Sequence, residues 1–257
     1  MISLTLVVPL YNEENCLVGN FHRIKEYLAA LGRDFEILLV NDGSVDRTGE
    51  MVDDLARVHQ EARAIHIQRN RGKGFAVKRG ILASKGAFVL FTDADLAVPL
   101  SFIGTCLTRL ESGSPVVIGS RHLPQSCFKV RQGFARQFFG EVFRRWVRVV
   151  LLLKVSDITC GLKGFEGSAA REIFIRSRID RWGYDAEILF LAARLGYGIT
   201  EVPVEWSHHD QSKVRIASAS VKTFAEIGEV YYNYLIAKRY DLHGRGRKGR
   251  GSARGSG

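Results

Sequence analysis

The sequence predicts an α/β protein with a mostly parallel central sheet and helices on both faces. Short apolar stretches alternate with longer segments in which apolar residues recur every three or four positions, and this alternation runs from residue 3 to residue 119. Short apolar runs are typical of buried strands, and the second pattern is typical of helices that cover a sheet on one side. Strands and helices in regular alternation predict parallel strands joined by crossover helices.

The expected elements follow one another without long gaps. The first helix is predicted to open over residues 11–14, with Asn12 as its cap and acids in its first turn, and to stop at Gly32. The second helix carries an apolar stripe that includes Val58. The strands are predicted at residues 3–9, 35–41, 64–68, 88–93 and 115–119.

The second half of the chain is predicted to add amphipathic helices and one more strand. Residues 134–153 combine an aromatic stripe with arginines, a pattern that fits a helix on a membrane surface and equally a core helix with a basic outer face. We expect a loop over 157–164, an apolar helix over 188–195, a strand over 199–206 and a last amphipathic helix over 217–240.

The chain is expected to form one domain over residues 1–237, in halves 1–125 and 126–237, followed by a basic, disordered tail at 238–257. The net charge of +10 is uneven, because residues 129–148 carry six basic side chains against one acid and the tail carries seven against one. Localised positive charge predicts an anionic partner, either a membrane surface or a nucleic acid. A solvated basic face and a floppy tail are the alternative.

Composition excludes several classes. With 46% apolar and 25% charged residues the chain is neither disordered nor fibrous. No apolar run is long enough to span a bilayer, and residues 1–9 lack the pattern of a signal peptide. These features predict a cytosolic or cytosol-facing protein. The cysteines are far apart and predict reduced thiols; they are Cys16, Cys106, Cys127 and Cys160.

Two carboxylates, Asp93 and Asp95, follow the strand at 88–93. Residues two apart on an extended segment point the same way, so both acids are expected on one side of the strand end. A hard divalent cation such as Mg²⁺ or Mn²⁺ suits this pair, because such ions take oxygen ligands and complete their shell with water and phosphates. An acidic, solvated turn is the alternative interpretation.

Other polar loops fall at the same edge of the predicted sheet. They follow consecutive strands at residues 9–13, 41–44 and 70–73, and the loop at 93–95 joins them. In parallel sheets, ligands bind at the carboxyl ends of the strands. This edge is therefore the candidate ligand site.

The motifs form an ordered set along the chain. In the first half they read VPLYNEE at 8–14, VNDGSVDRT at 40–48, NRGKG at 70–74 and DAD at 93–95. In the second half they read GSR at 119–121, DITCGLK at 157–163, RWGYDAEIL at 181–189, EVPVEW at 201–206 and SK at 212–213.

Over roughly residues 1–235 this set resembles the inverting family 2 glycosyltransferases of the GT-A fold. The second half resembles the branch that glycosylates polyprenyl phosphates, and within it the dolichyl-phosphate glucosyltransferases more than the mannosyl enzymes. The resemblance implies a Rossmann-like GT-A fold with amphipathic C-terminal helices. It also implies a nucleotide-sugar and metal half, 1–125, and an acceptor and membrane-facing half, 126–237.

The resemblance assigns the donor side of the site. Asp93 and Asp95 would bind a metal that bridges the donor pyrophosphate, with Lys73 nearby. The family often has a further metal ligand, Gln, where this chain has Ala97, which puts the metal affinity or geometry in question. The base and ribose would be bound by Pro9, Tyr11, Glu13 and Asp42, with Asp93 and Lys73 also near the donor.

The expected reaction moves a hexose from a nucleotide diphosphate sugar, UDP-glucose first and GDP-mannose next, to a polyprenyl phosphate. A phosphomonoester is already an anion near neutral pH, so it needs cations to hold it and no general base. Arg121 is the first candidate, because a guanidinium group binds phosphate with two parallel hydrogen bonds. The further candidates are Arg131, Lys163 and Lys213. Lys73, Asp95 and Arg121 are the candidate catalytic residues.

A sugar hydroxyl as acceptor is the nearest alternative. It would need a base, and Asp185 or Glu187 could serve, which adds Asp185 to the catalytic candidates. Both acids are equally well explained as a helix cap and an exposed acid in the first turn. The run at 208–210, His-His-Asp, could add a metal ligand, although adjacent histidines in a loop are usually only polar.

A non-catalytic nucleotide-sugar or nucleic-acid-binding protein is the alternative from another class. Asp93 and Asp95 argue against it, because paired acids repel phosphates unless a metal intervenes. The expected partners are a nucleotide sugar, a polyprenyl phosphate and an anionic membrane, with no nucleic acid. The expected location is cytoplasmic, peripheral on the cytoplasmic face of a membrane, and a separate integral membrane partner is expected to move the product across.

Overall fold

The computed structural model describes residues 2–124, 126–128, 145–206 and 216–240. The strands are β1 Leu4–Leu10, β2 Phe35–Asp42, β3 Ala62–Ile67, β4 Phe88–Phe91, β5 Val116–Ser120, β6 Cys127–Phe128, β7 Lys163–Glu166, β8 Ile199–Pro203 and β9 Glu205–Trp206. The helices are α1 Leu17–Ala30, α2 Thr48–Val58, α3 Lys73–Ala83, α4 Ser101–Glu111, α5 at residues 145–151, α6 Gly167–Arg176, α7 Tyr184–Arg194 and α8 Ile216–Leu235.

A seven-stranded sheet organises the fold, in the order β3-β2-β1-β4-β7-β5-β8. β1 runs parallel to β2 and β4, β2 runs parallel to β3, and β5 runs parallel to β8. β7 lies between β4 and β5 and runs antiparallel to both. The predicted mixed architecture with a mostly parallel sheet is confirmed. The predicted loop over 157–164 is wrong at its end, because Lys163 begins β7 and pairs with both Phe91 and Ile118.

Helices cover both faces of the sheet, as predicted. Val7 faces a core shared with α3, α6 and α7, whereas Leu6 and Val8 face a second core shared with α1, α2 and α4. This alternation follows from the two-residue period of side chains along a strand. A Cβ on Gly80 of α3 would overlap the Val7 side chain, so this glycine lets α3 lie close against β1.

The start of the first helix differs from the prediction. Helix α1 begins at Leu17, and Asn12 lies before it with a positive φ of 57°. The Asn12 side-chain oxygen accepts the N–H of Val45 at 2.9 Å, and its own N–H donates to the Ser44 hydroxyl at 3.0 Å. Asn12 therefore joins two loops instead of capping a helix. The predicted stop at Gly32 is confirmed, with a φ of 64°.

Two further expectations are corrected by side-chain exposure. Val58, the last residue of α2, is 70% exposed, because the chain turns to an extended conformation at His59. The last helix ends at Leu235, before the predicted 240, and Tyr240 is buried against the domain although the tail was expected from residue 238. The N–H of Arg239 donates to the Asn233 carbonyl at 2.9 Å.

The predicted amphipathic helix over 134–153 is described only in part. Residues 129–144 lie outside the described residues, and 145–151 are helical. Val147 is buried, whereas Arg145 and Arg148 are exposed. In the part of the chain that the structure describes, no helix has both the length and the apolar character needed to cross a bilayer.

Candidate functional site

Three strands bring together residues that the sequence predicted to bind the donor. β1 lies between β2 and β4, so Pro9 at the end of β1, Asp42 at the end of β2 and Asp93 just after β4 meet at one edge. Tyr11 follows Pro9 at this edge and is 43% exposed. The N–H of Glu13 donates to the Thr48 hydroxyl at 2.8 Å. These positions agree with the convergence that the strand ends predicted.

Asp42 holds the loop that carries Lys73. Its two carboxylate oxygens accept the N–H groups of Arg71 at 2.9 Å and Gly72 at 2.7 Å. Burial raises the pKa of Asp42 above its usual value, although these two hydrogen bonds act in the opposite direction. Asp42 thus fixes the position from which the Lys73 side chain extends.

The glycines of the loop at 70–74 allow close packing against the segment at 179–184. Gly72 has a φ of 117°, and a Cβ there would lie 2.6 Å from the carbonyl oxygen of Asp180. A Cβ on Gly74 would lie 2.6 Å from Cβ of Tyr184. The N–H of Phe75 donates to the same Asp180 carbonyl at 2.9 Å. These glycines therefore join the two halves of the site, a role that sequence reasoning missed.

Lys73 lies among carboxylates. Its ammonium forms an ion pair with Oδ1 of Asp93, and it also lies 5.9 Å from the ring centre of Trp182, an exposed side chain. Burial alone would lower the pKa of Lys73, but the negative charges of Asp93, Asp185 and Asp95 outweigh it and raise the pKa. The ammonium therefore stays charged.

The residues Asp93 and Asp95 fit a divalent metal. Asp95 is exposed, and its Oδ1 accepts the N–H of Ala97 at 3.0 Å. A Cβ on Gly161 would overlap the Asp93 carboxylate, so this glycine lies directly behind it. Mg²⁺ commonly takes only one or two protein carboxylates and fills its shell with water and substrate phosphates. Within the described residues, no group of three or more His, Cys, Asp or Glu could hold a metal.

Arg121 lies in a bidentate ion pair. Its Nε donates to Oδ2 of Asp157 at 2.7 Å, and its Nη2 donates to Oδ1 of Asp157 at 2.9 Å and to the Thr159 hydroxyl at 2.8 Å. Burial alone would raise the pKa of Asp157, but the hydrogen bonds and charge of Arg121 lower it to about 2. Burial acts to lower the pKa of Arg121, and Asp157 raises it above its usual value. A contact between Arg121 and an acceptor phosphate stays a prediction.

Lys163 is not available to an acceptor. Its side chain is 0% exposed, and its ammonium donates to Oδ1 of Asp185 at 2.5 Å and to the Cys160 carbonyl at 2.7 Å. The suggestion that Lys163 binds an acceptor phosphate is therefore wrong, because β7 places the side chain inside the protein. Asp185, the candidate base, is only 5% exposed and is occupied by this ion pair.

Glu187 is a buried structural acid. It lies in the first turn of α7, but the alternative interpretation of it as an exposed acid is wrong. Its carboxylate accepts the N–H groups of Arg178 and Ile179 at 2.9 Å and the hydroxyl of Tyr240 at 2.6 Å. Burial raises the pKa of Glu187 in spite of these bonds. The apolar residues that surround Glu187 in α7 could have indicated that it is buried. The sequence gives no local sign of its partner Tyr240, which lies 53 residues away.

Some predicted site residues lie outside the described residues. These are Arg131, Lys213 and the run at 208–210. Asp157 and Gly161 belong to a motif that the sequence singled out, but they had been given no role. Their contacts with Arg121 and Asp93 come from segments far apart in the chain, so spacing could not reveal them.

Comparison with known proteins identifies relatives of the whole domain. Residues 5–174 match the model of the family described as glycosyl transferase family 2. The chain is 33% identical over 247 residues to a dolichyl-phosphate beta-glucosyltransferase of Dictyostelium discoideum, covering 91% of this chain and 76% of the relative. It is 31% identical to the Saccharomyces cerevisiae protein of the same name, with the same coverage, and 30% identical to the human one, covering 82% and 69%.

Solved structures share the fold at low sequence identity. Glucosyl-3-phosphoglycerate synthase from Mycobacterium tuberculosis, in complex with Mn²⁺, UDP and phosphoglyceric acid, superposes with a TM-score of 0.64 at 18% identity, covering 90% of this chain and 78% of that one. S. aureus TarS superposes with a TM-score of 0.55 at 18% identity, covering 90% and 64%. The fold is thus the GT-A fold that the motifs implied.

Proposed function

Because the chain belongs to glycosyl transferase family 2, we propose that it transfers glucose, with inversion, from UDP-glucose to a dolichyl-type polyprenyl phosphate. The names of the relatives favour this donor sugar and acceptor, and GDP-mannose is the second candidate donor. The main support for a phosphate acceptor is that both candidate bases are already engaged. Asp185 forms an ion pair with Lys163, and Glu187 accepts a hydrogen bond from Tyr240. A phosphate acceptor is already an anion, so the reaction does not require a base.

On the donor side, this chain supplies carboxylates and one ammonium. Asp93 and Asp95 would hold Mg²⁺ or Mn²⁺, which supplies charge neutralisation for the departing diphosphate. Lys73 contributes a further positive charge at the same edge, and stabilisation of developing charge is most effective in the transition state. Tyr11 and Asp42 lie at the same edge, where the base and ribose of the donor would bind.

On the acceptor side, Arg121 is the residue that would contact the phosphate. Asp157 and Thr159 hold the guanidinium in one orientation, so little side-chain entropy remains to be lost on binding. Arg131 and Lys213 are proposed as further phosphate contacts. Each would contribute positive charge that a lipid phosphate needs and a neutral hydroxyl does not.

A mixed apolar and basic face is proposed to contact an anionic membrane. Val149 and Leu152 are more than 70% exposed, and Ile236 beyond α8 is 69% exposed. Arg145 lies one helical turn before Val149, so the two share a side of α5. Arg148 is exposed in the same helix, and Leu152 directly follows its last residue. An open groove of about 570 Å³ lies between α5, α7 and α8; it is lined by Val149, Val150, Leu152, Phe190, Arg194, Tyr231, Tyr234 and Leu235. Apolar side chains beside arginines fit the interface of a membrane with anionic lipids.

Radiolabelled transfer tests the reaction. UDP-glucose and GDP-mannose are offered separately with polyprenyl phosphate, with Mg²⁺ or with EDTA, and organic-extractable label is counted for wild type and Asp95→Ala. We expect lipid product from UDP-glucose that disappears with EDTA and falls at least a hundredfold in the variant. Absence of lipid product from both donors, while UDP-glucose still binds, would contradict the lipid acceptor.

Vesicle sedimentation tests the membrane contact. We expect wild type to sediment with phosphatidylserine-containing vesicles at low salt and to be released at high salt. Leu152→Ser with Ile236→Ser should weaken this binding at least fivefold. Val58→Ser removes a comparably exposed apolar side chain elsewhere and serves as the control. Equal binding by all three proteins would exclude this face as the contact.

A further inference from the structure

The position of Lys73 has a consequence for metal binding. Its ammonium forms an ion pair with Oδ1 of Asp93, one of the two carboxylates that would hold the metal. The side chain of Lys73 is 19% exposed and that of Asp93 is 34% exposed, so the pair lies at the rim of the site. An oxygen bound to the lysine cannot serve a divalent cation equally well, because two positive groups at one carboxylate repel each other.

Other carboxylates also attract the Lys73 ammonium. Asp95 and Asp185 both act on the Lys73 ammonium and raise its pKa together with Asp93. Asp185 is already bonded to Lys163 at 2.5 Å, so Asp93 is the direct partner of Lys73. The Lys73 ammonium therefore lies among carboxylates that would also attract a divalent cation.

The backbone on both sides of this contact is fixed, whereas the lysine side chain can move. Asp42 holds the N–H of Gly72, and Gly72 packs against Asp180. On the other side, the Asp93 carboxylate packs directly against Gly161, where a Cβ would overlap it. Lysine carries its charge on a flexible four-carbon stem, so rotation about side-chain bonds is enough to release Asp93.

A released Lys73 would have a new anionic partner nearby. It is the first residue of α3, and the N-terminal end of a helix favours anions over cations. The diphosphate of a nucleotide sugar bound at this edge would bring negative charge to the same place. The lysine would then exchange a carboxylate for a phosphate.

We propose that the Lys73 ammonium competes with the divalent cation for Asp93, and that metal and donor bind together because the donor diphosphate takes over Lys73. This inference rests on the proposed function for the presence of a diphosphate donor. It goes further by giving Lys73 opposite effects on two equilibria. Without nucleotide, Lys73 opposes metal binding; with nucleotide, it supports donor binding.

Mn²⁺ binding to the purified protein, measured by electron paramagnetic resonance, tests the competition without any turnover. Lys73→Met should bind Mn²⁺ at least tenfold more tightly than wild type when no nucleotide is present. The same variant should bind UDP at least tenfold more weakly in saturating Mn²⁺. A lysine that only supported the fold would give weaker binding of both ligands when it is removed.

Lys78→Met is the matched control, because Lys78 lies in the same helix but donates to the Ser177 carbonyl at 2.5 Å. It should leave both affinities unchanged. Lys73→Arg keeps the positive charge and should keep the weak binding of free Mn²⁺. If Lys73→Met fails to fold, the ¹³Cε resonance of Lys73 in wild type, assigned through Lys73→Arg, should still shift on addition of Mg²⁺, and no shift would overturn the proposal.

The outcomes separate this inference from the proposed function. Unchanged or weaker binding of free Mn²⁺ by folded Lys73→Met would overturn the competition even if the wild type makes lipid-linked glucose. Tighter Mn²⁺ binding by the variant, together with no lipid product from the wild type, would support the competition and contradict the acceptor.

Discussion

The two sides of the candidate site hold their charges differently. On the donor side, Asp95 is exposed and Asp93 is about one-third exposed, with Lys73 as its partner. On the other side, Asp157 and Asp185 are at most 5% exposed, and each is paired with a cation. The two carboxylates proposed to bind the metal, Asp93 and Asp95, remain partly in solvent, whereas Asp157 and Asp185 are buried in ion pairs that hold the site together.

The largest expected effect is at the most deeply buried pair. Lys163→Met leaves Asp185 buried without its cation, and we expect a loss of about 3–5 kcal/mol in the free energy of unfolding. Urea denaturation measures it. The double variant Lys163→Met with Asp185→Leu should recover most of the loss, because it removes both charges. A loss below about 1 kcal/mol in the single variant would contradict the contrast between the two sides.

The second effect is a pH dependence caused by Asp157. The pKa of Asp157 is about 2 in the folded protein and 3.8 in the unfolded chain. The stabilisation that Asp157 adds to the folded state is therefore fully present above a pH of about 4 and is lost as the pH falls towards 2. The shift corresponds to about 2 kcal/mol. Urea denaturation from pH 5 to pH 2 should show the difference between wild type and Asp157→Asn shrinking by about that amount. A constant difference would exclude this cause.

A change on the donor side should lower the free energy of unfolding only slightly and should lower metal affinity strongly. The Cβ of Gly161→Ala would overlap the Asp93 carboxylate, which can turn towards solvent because it is partly exposed. We expect a loss of about 1 kcal/mol in stability, at the low end for added bulk. Mn²⁺ affinity in the presence of UDP should fall at least tenfold. Gly198→Ala has open space around its Cβ and, like Gly161, no positive φ, so it controls for the added methyl group at a distant position.

The smallest effect is expected at an ion pair on the rim. Nη2 of Arg71 lies 2.6 Å from Oδ2 of Asp180, and the two side chains are 43% and 31% exposed. Solvent screens such pairs, so Arg71→Met should change the free energy of unfolding by about 0–1 kcal/mol. Thermal and urea denaturation both test this. If Arg71→Met lowered the free energy of unfolding as much as Lys163→Met, solvent exposure would not explain the difference between exposed and buried ion pairs.

Local patterns were enough to predict that the polar strand ends meet at one edge of the sheet. The strands that end at Leu10, Asp42 and Phe91 are parallel neighbours, and their carboxyl ends meet because βαβ connections place them so. The position of Asp93 just after a buried strand could therefore be read directly from the sequence. Asn12 was misjudged because an Asn with positive φ that bonds a distant loop has the same local sequence as a helix cap.

The sequence by itself determined the alternating elements, the edge where the polar loops meet and the family motifs, because these depend on hydrophobic period and on order along the chain. Only the tertiary structure decided which charges are paired. Strand β7 enters the sheet antiparallel between β4 and β5 and carries Lys163 inward to Asp185, and Glu187 meets Tyr240 from 53 residues away. The availability of a charged side chain depends on burial and on partners that are distant in sequence, and neither is encoded in local spacing.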